Sequence, residues 1–122
     1  MKLQLAAAAV ALALAGGAAL AHGTAQPRHG GTVQTANDLN FELVASADGV
    51  AIHIDDHGKP VPAAGFGGRL TLLAGGRTTQ AELRAEGDRL LARGVQLDRG
   101  ARLVAVIRDA QGRPITVRFV VP

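Results

Sequence analysis

Phe41 to Asp55 reads FELVASADGVAIHID. Apolar residues alternate on both sides of Asp48-Gly49: Phe41, Leu43 and Ala45 before it, Val50, Ile52 and Ile54 after it. A period of two puts each set on one face of a strand, and Asp-Gly is a hairpin turn signal. The stretch therefore predicts two antiparallel strands that share an apolar face. Ala51, His53 and Asp55 then stand on the opposite face, and His53 points outward.

The same pattern extends in both directions. Thr32–Thr35 reads as a short strand before the hairpin. After it comes a Gly- and Pro-rich loop, Asp56 to Gly68. Strands follow at Arg69–Ala74, at Thr78–Arg84 with Ala81 and Leu83 inward, and at Arg89–Arg93. Ala101–Asp109 is apolar on both faces and reads as a central strand. Pro114–Val121 closes the series with Ile115, Val117, Phe119 and Val121 on one face. Gly75-Gly76, Glu86-Gly87-Asp88 and Gln111-Gly112-Arg113 supply the turns. No helical periodicity, internal repeat or linker interrupts residues 32–122. About 7–8 short strands with frequent turns predict an all-β fold, an immunoglobulin-like antiparallel β-sandwich.

The first 21 residues, MKLQLAAAAVALALAGGAALA, have a different character. Lys2 is the only charge, Gly16-Gly17 breaks the apolar run, and Ala19 and Ala21 place small residues at the −3 and −1 positions of a cut after Ala21. This is the layout of a cleavable secretory signal peptide, residues 1–21. The apolar run of roughly 12 to 15 residues is short against the roughly 20 that span a bilayer, so no membrane span is expected after cleavage. The expected compartment is the periplasm. Residues 22–31, HGTAQPRHGG, then form a flexible arm ahead of the sandwich.

Composition excludes several chemistries. The chain has no cysteine, so it has no disulfide, no thiolate metal site and no cysteine nucleophile. Its one serine, Ser46, sits at a strand end without a Gly-flanked elbow, and Asp55-Asp56 adjoins a turn that such residues ordinarily cap. No enzymatic activity is expected. There are 13 basic and 10 acidic residues, and the basic ones are dispersed among apolar positions. With no Trp or Tyr for stacking, nucleic-acid binding is not expected.

The four histidines are the better chemical resource. A cut after Ala21 makes His22 the N-terminal residue, where one residue offers both an α-amine and an imidazole. Copper(II) favours such nitrogen-rich surroundings, and zinc, cobalt or nickel also accept imidazole and carboxylate. His29 lies on the arm beside Gly30-Gly31. His57 lies in the Asp-Asp-His-Gly turn. His53 lies on a strand, away from the arm.

HGG before a short strand, then DLNFELV, then DGVAIHIDDHGKPVPAAGFGGRLTLLAGG, then GARLVAVIRDAQGRPITVRFVV, resembles a group of small bacterial periplasmic proteins. They are encoded beside copper and cobalt-zinc-cadmium efflux systems. PRHGG, FELV, DHGKPV and VRFVV carry most of the likeness, which covers nearly all the chain after the leader. The pattern also looks like a small module within the periplasmic adaptor proteins of such pumps. More distantly it is similar to the copper-carrier sandwich of copper-resistance operons, whose mature chain starts with a copper-ligating histidine; only His22 matches that role.

The resemblance implies a periplasmic metal-binding accessory protein for heavy-metal efflux, with a component of the efflux system as partner. In that reading His22 and His29 form a mobile clamp that His57, or a carboxylate such as Asp56, completes around a divalent cation. Two alternatives stay open: a metal-free interaction module that docks on a pump component through a sheet edge, and a structural envelope protein.

Overall fold

A computed structural model describes residues 25–122. The leader and His22 lie outside the described residues. Nine strands follow one another: β1 (Thr32–Ala36), β2 (Leu39–Ser46), β3 (Gly49–Asp56), β4 (Lys59–Val61), β5 (Gly67–Ala74), β6 (Arg77–Glu86), β7 (Arg89–Arg93), β8 (Arg102–Arg108) and β9 (Pro114–Val120). Among the described residues there is no helix, hence none long and apolar enough to cross a membrane.

The fold is all-β and every pairing is antiparallel. The strands run β1-β2-β3-β7-β6-β5-β8-β9 as one sheet. β1 packs beside β9, so the sheet nearly closes on itself and its two halves face each other across a single core. β3 pairs with β2 along one edge. Its other edge is shared, with β7 against Gly49–His53 and β4 against Ile54–Asp56.

Alternation explains the core. Phe41, Leu43, Val50, Ile52 and Ile54 point inward, opposite Leu103, Ala105, Ile107, Ile115, Val117 and Phe119, and all are buried in one cluster. With no disulfide among the described residues, the burial of these side chains, about 1.5–3 kcal/mol for each large one, is the main force holding the fold.

Two strand readings need correction. The loop expected over Asp56–Gly68 contains β4, a three-residue edge strand. Pro60 hid it, since proline cannot donate to a ladder, but an edge strand tolerates it. β8, expected as a central strand, is paired on both edges, with β5 and β9, but lies next to the end of the strand order, and only one of its faces is buried. Leu103, Ala105 and Ile107 point into the core, whereas Val104 is half-buried and Val106 is 39% exposed. Arg102 and Arg108 extend the same outward row.

Two tight hairpin turns place functional groups at one end of the sheet. Asn37 and Asp38 join β1 to β2 with φ of 48° and 64°. His57 and Gly58 join β3 to β4 with φ of 49° and 94°. Positive φ at both central residues is the geometry that suits the twist of a two-residue hairpin. The His57-Gly58 pair is thus a turn, with histidine in a conformation it adopts more readily than most residues.

Candidate metal-binding site around His29 and His57

Glu42 stands on β2, on the side of the sheet away from the core, and is the one buried charged residue among those described. The arm folds over it. Its Oε2 accepts backbone N–H groups from His29 at 2.8 Å and Gly31 at 2.9 Å. Its Oε1 accepts the Arg28 N–H at 3.0 Å and meets His29 Nδ1 at 2.9 Å. An ionised carboxylate only accepts, so His29 Nδ1 carries the proton. Burial by itself would push the Glu42 carboxyl up. The bonds from the His29 ring and from the backbones of Gly31, Arg28 and His29 outweigh it and hold the pKa at about 2.

The HGG stretch now has a local explanation. Gly30, at φ 72°, turns the chain towards Glu42. At Gly31 a Cβ would collide with the Leu43 carbonyl oxygen and the Val44 side chain. The arm expected to be flexible as far as residue 31 is therefore pinned from Arg28 to Gly31 by a carboxylate more than ten residues away. Gly31→Ala is expected to cost about 1–3 kcal/mol, as overpacking does, and to lower the thermal midpoint by several degrees. A melting curve unchanged from wild type would show that the arm does not need this close approach.

His53 occupies the β3 position paired with Glu42. Its ring stacks on His29, with centroids 3.7 Å apart and planes 10° from parallel. The expectation that His53 lies away from the arm is therefore corrected: cross-strand pairing with Glu42 puts it directly beneath the arm. Burial, and secondly the neighbouring His29, hold its imidazole below the ordinary value, while Asp88 and Glu42 oppose that shift. A cavity of about 90 Å³ adjoins the stack, lined in part by Gln26, Asn40 and Asp88. Organic ligands ordinarily occupy roughly 300–1,000 Å³, so this space fits waters or a small ion.

Asp55 ties the arm to the second turn. Its Oδ2 accepts Asn40 Nδ2 at 3.2 Å and the Gly58 N–H at 2.8 Å. Its Oδ1 is buried without a hydrogen bond, 3.9 Å from Arg28 Nε. Arg28 also donates through Nη2 to the Gly58 carbonyl at 2.7 Å.

His57 lies beyond, exposed in its turn. Its Nδ1 is 2.7 Å from Asp56 Oδ1, and its Nε2 is 3.6 Å from Asp38 Oδ1 in the neighbouring turn. The bond to Asp56, then the charge of Asp38, raise its pKa. Asp56, expected as a ligand, is the hydrogen-bond partner of His57 Nδ1.

These distances test the fit of a metal. Among the described residues no three His, Asp or Glu side chains converge on one point. His29 and His53 cannot chelate one ion as they stand, because ring lone pairs lie in the ring planes and these planes are nearly parallel. His57 and Asp38 do better. Two ligands about 2.0–2.1 Å from a tetrahedral ion stand about 3.3 Å apart, close to the 3.6 Å between Nε2 and Oδ1. Among the described residues, His57 and Asp38 thus stand at a spacing that two ligands of one ion would have, while His29 belongs to a separate latch on Glu42. Glu42 and Asp38 were missed because neither belongs to a recognised ligand spacing. The one available signal was a carboxylate within the otherwise apolar FELV.

The fold and site define an antiparallel all-β domain whose N-terminal arm is latched by a buried glutamate. No protein-family model, curated protein or solved structure matches the chain.

Proposed function

We propose that this chain is a periplasmic accessory protein of a heavy-metal efflux system, which buffers a divalent cation or delivers it to a component of the pump. The cation is copper(II) or a related ion: zinc, cobalt or nickel. His57 is the primary ligand through Nε2, Asp38 is the second, and Asp56 holds the ring. His22, as the expected mature N-terminus, supplies the further nitrogen donors. His29 is assigned to the latch.

The observation that carries this reading is the carboxylate–imidazole pair at His57, with Nε2 turned to a second carboxylate. Metal-bound histidines characteristically donate their other ring N–H to a carboxylate, which fixes the tautomer and raises ligand basicity. A site with few protein ligands on an exposed turn suits transfer better than storage, because ligands can leave one at a time.

Calorimetric titration with copper(II) tests the reading, on protein whose N-terminus has been established by mass spectrometry. Binding is expected near pH 7.5 and should weaken steeply towards pH 5, since imidazole and amine must lose their protons to ligate. His57→Ala is expected to reduce affinity at least tenfold. Asp38→Asn and one residue added before His22 should each reduce it less, and His53→Ala least. Undiminished affinity in His57→Ala would remove the site, and absence of binding in the wild type would remove the function.

A further inference from the structure

We infer that the outward face of β5, β8 and β9 is a docking surface for an anionic phospholipid bilayer. These three strands contain no Asp or Glu, and their outward side carries Arg69, Arg102, Arg108 and Arg118, all exposed. Among the described residues none of the four has an ion-pair partner. Among the described residues the arginines in ion pairs are Arg28, Arg84, Arg93 and Arg113 instead.

Register turns this composition into a surface. Successive cross-strand rows read Leu73–Arg102–Val120, Thr71–Val104–Arg118, Arg69–Val106–Thr116 and Gly67–Arg108–Pro114. Each row holds one arginine. Rows on one face are about 6.7 Å apart, so the four cations are spread over about 20 Å. Glu82 on β6 stands beside Arg69 as its cross-strand partner, but its carboxylate is engaged by Arg84 at 3.0 Å. Asp98, in the loop before β8, lines the same depression as Leu73 and Arg102 at the end of the face. Asp109, just past β8, is held in its own turn by the backbone of Gln111 and Arg113 and by the Arg113 side chain. The acidic groups Asp38, Glu42, Asp55 and Asp56 belong to β2, β3 and the β1–β2 turn.

The exposed aliphatic side chains decide the kind of partner. Leu73 at 43%, Val106 at 39% and Val120 at 58% are the exposed large hydrophobic residues of the described chain, and all three lie on this face. Arg102 sits between Leu73 and Val120 in one row. A small soluble anion would use the arginines and leave the aliphatic groups in water. A bilayer surface uses both: guanidinium forks engage phosphates, and short apolar side chains enter the headgroup–acyl boundary. Protein partners are commonly anchored by Trp or Tyr, and this chain has neither. A repeating mixture of Arg and aliphatic residues suits a laterally fluid array of phosphates.

The inference does not depend on the metal reading. Its test is co-sedimentation of the purified protein, in the processed form that cells accumulate, with vesicles of phosphatidylcholine alone or with phosphatidylglycerol. Binding is expected only to the phosphatidylglycerol vesicles and should fall as salt rises. The double variant Arg102→Glu with Arg118→Glu is expected to lose at least about tenfold in partitioning. Val120→Ser should lose severalfold with an unchanged melting curve. Arg93→Glu, an equal charge change on β7, should lose markedly less than Arg102→Glu alone. Equal losses in Arg93→Glu and Arg102→Glu would reduce the effect to net charge and overturn the proposal. An undiminished Val120→Ser together with equally strong binding to soluble polyphosphate would overturn it in favour of a small-anion site. Absence of binding to the phosphatidylglycerol vesicles would overturn it outright.

Discussion

Ile107→Asp is expected to abolish the folded state. Ile107 is fully buried on β8, between Gly68 of β5 and Ile115 of β9, with no polar group of the core cluster to receive a carboxylate. Burying an unpaired carboxylate costs several kcal/mol or forces its protonation, and a domain of this size has only about 5–15 kcal/mol in all. The far-UV spectrum should lose its β signature and cooperative melting should vanish. Val104→Asp, on the same strand, is expected to be much milder, because Val104 faces outward and is half-buried. Equal damage from both substitutions would mean that β8 is covered on both faces.

Replacing Glu42 with Gln is expected to give the second largest effect, and one that depends on pH. The carboxyl titrates at about 2 in the folded protein, against an ordinary 4.5. Because the folded value is the lower one, the stabilisation is complete above about pH 4.5 and is lost as pH falls towards 2. The gap corresponds to about 3 kcal/mol. His53 acts in the same direction at higher pH. Its imidazole is held below 6.5, so protons favour the unfolded chain once pH drops beneath that value. Urea unfolding should therefore find Glu42→Gln about 3 kcal/mol less stable than wild type at neutral pH, and the two proteins should converge near pH 2. A difference that stays constant between pH 6 and pH 2 would show that the loss comes from packing and not from the charge.

Much of the fold was legible because strands announce themselves locally. The inward faces of β3 and β9 follow from alternation at Val50, Ile52 and Ile54, and at Ile115, Val117 and Phe119. Where a local rule had two readings, the chain alone misled. An apolar run at Leu103–Ile107 fits a strand buried on both faces equally well as one whose outward valines meet water. Pro60 argues against a strand unless the strand lies at an edge, which is a property of the whole sheet.

The candidate site divides the same way. His29 and His57 stand out in the sequence as scarce side chains beside glycine. That they belong to different clusters was invisible, since it depends on which strands lie side by side. Glu42 looks like an ordinary outward residue of FELV, and His53 like an ordinary outward residue of β3. They become a latch only when β2 pairs with β3 and the arm crosses both.

The sequence by itself therefore determined the all-β class, most of the strand spans and the inward set of side chains. Those depend on a period of two and on turn residues, which act over a few positions. Only the tertiary structure decided that the arm is pinned, that His53 lies under His29, that Asp38 faces His57, and that four arginines share one open face. Each of these depends on contacts between segments distant in the chain. The burial and hydrogen bonding that fix such contacts act through space, and a linear pattern does not record them.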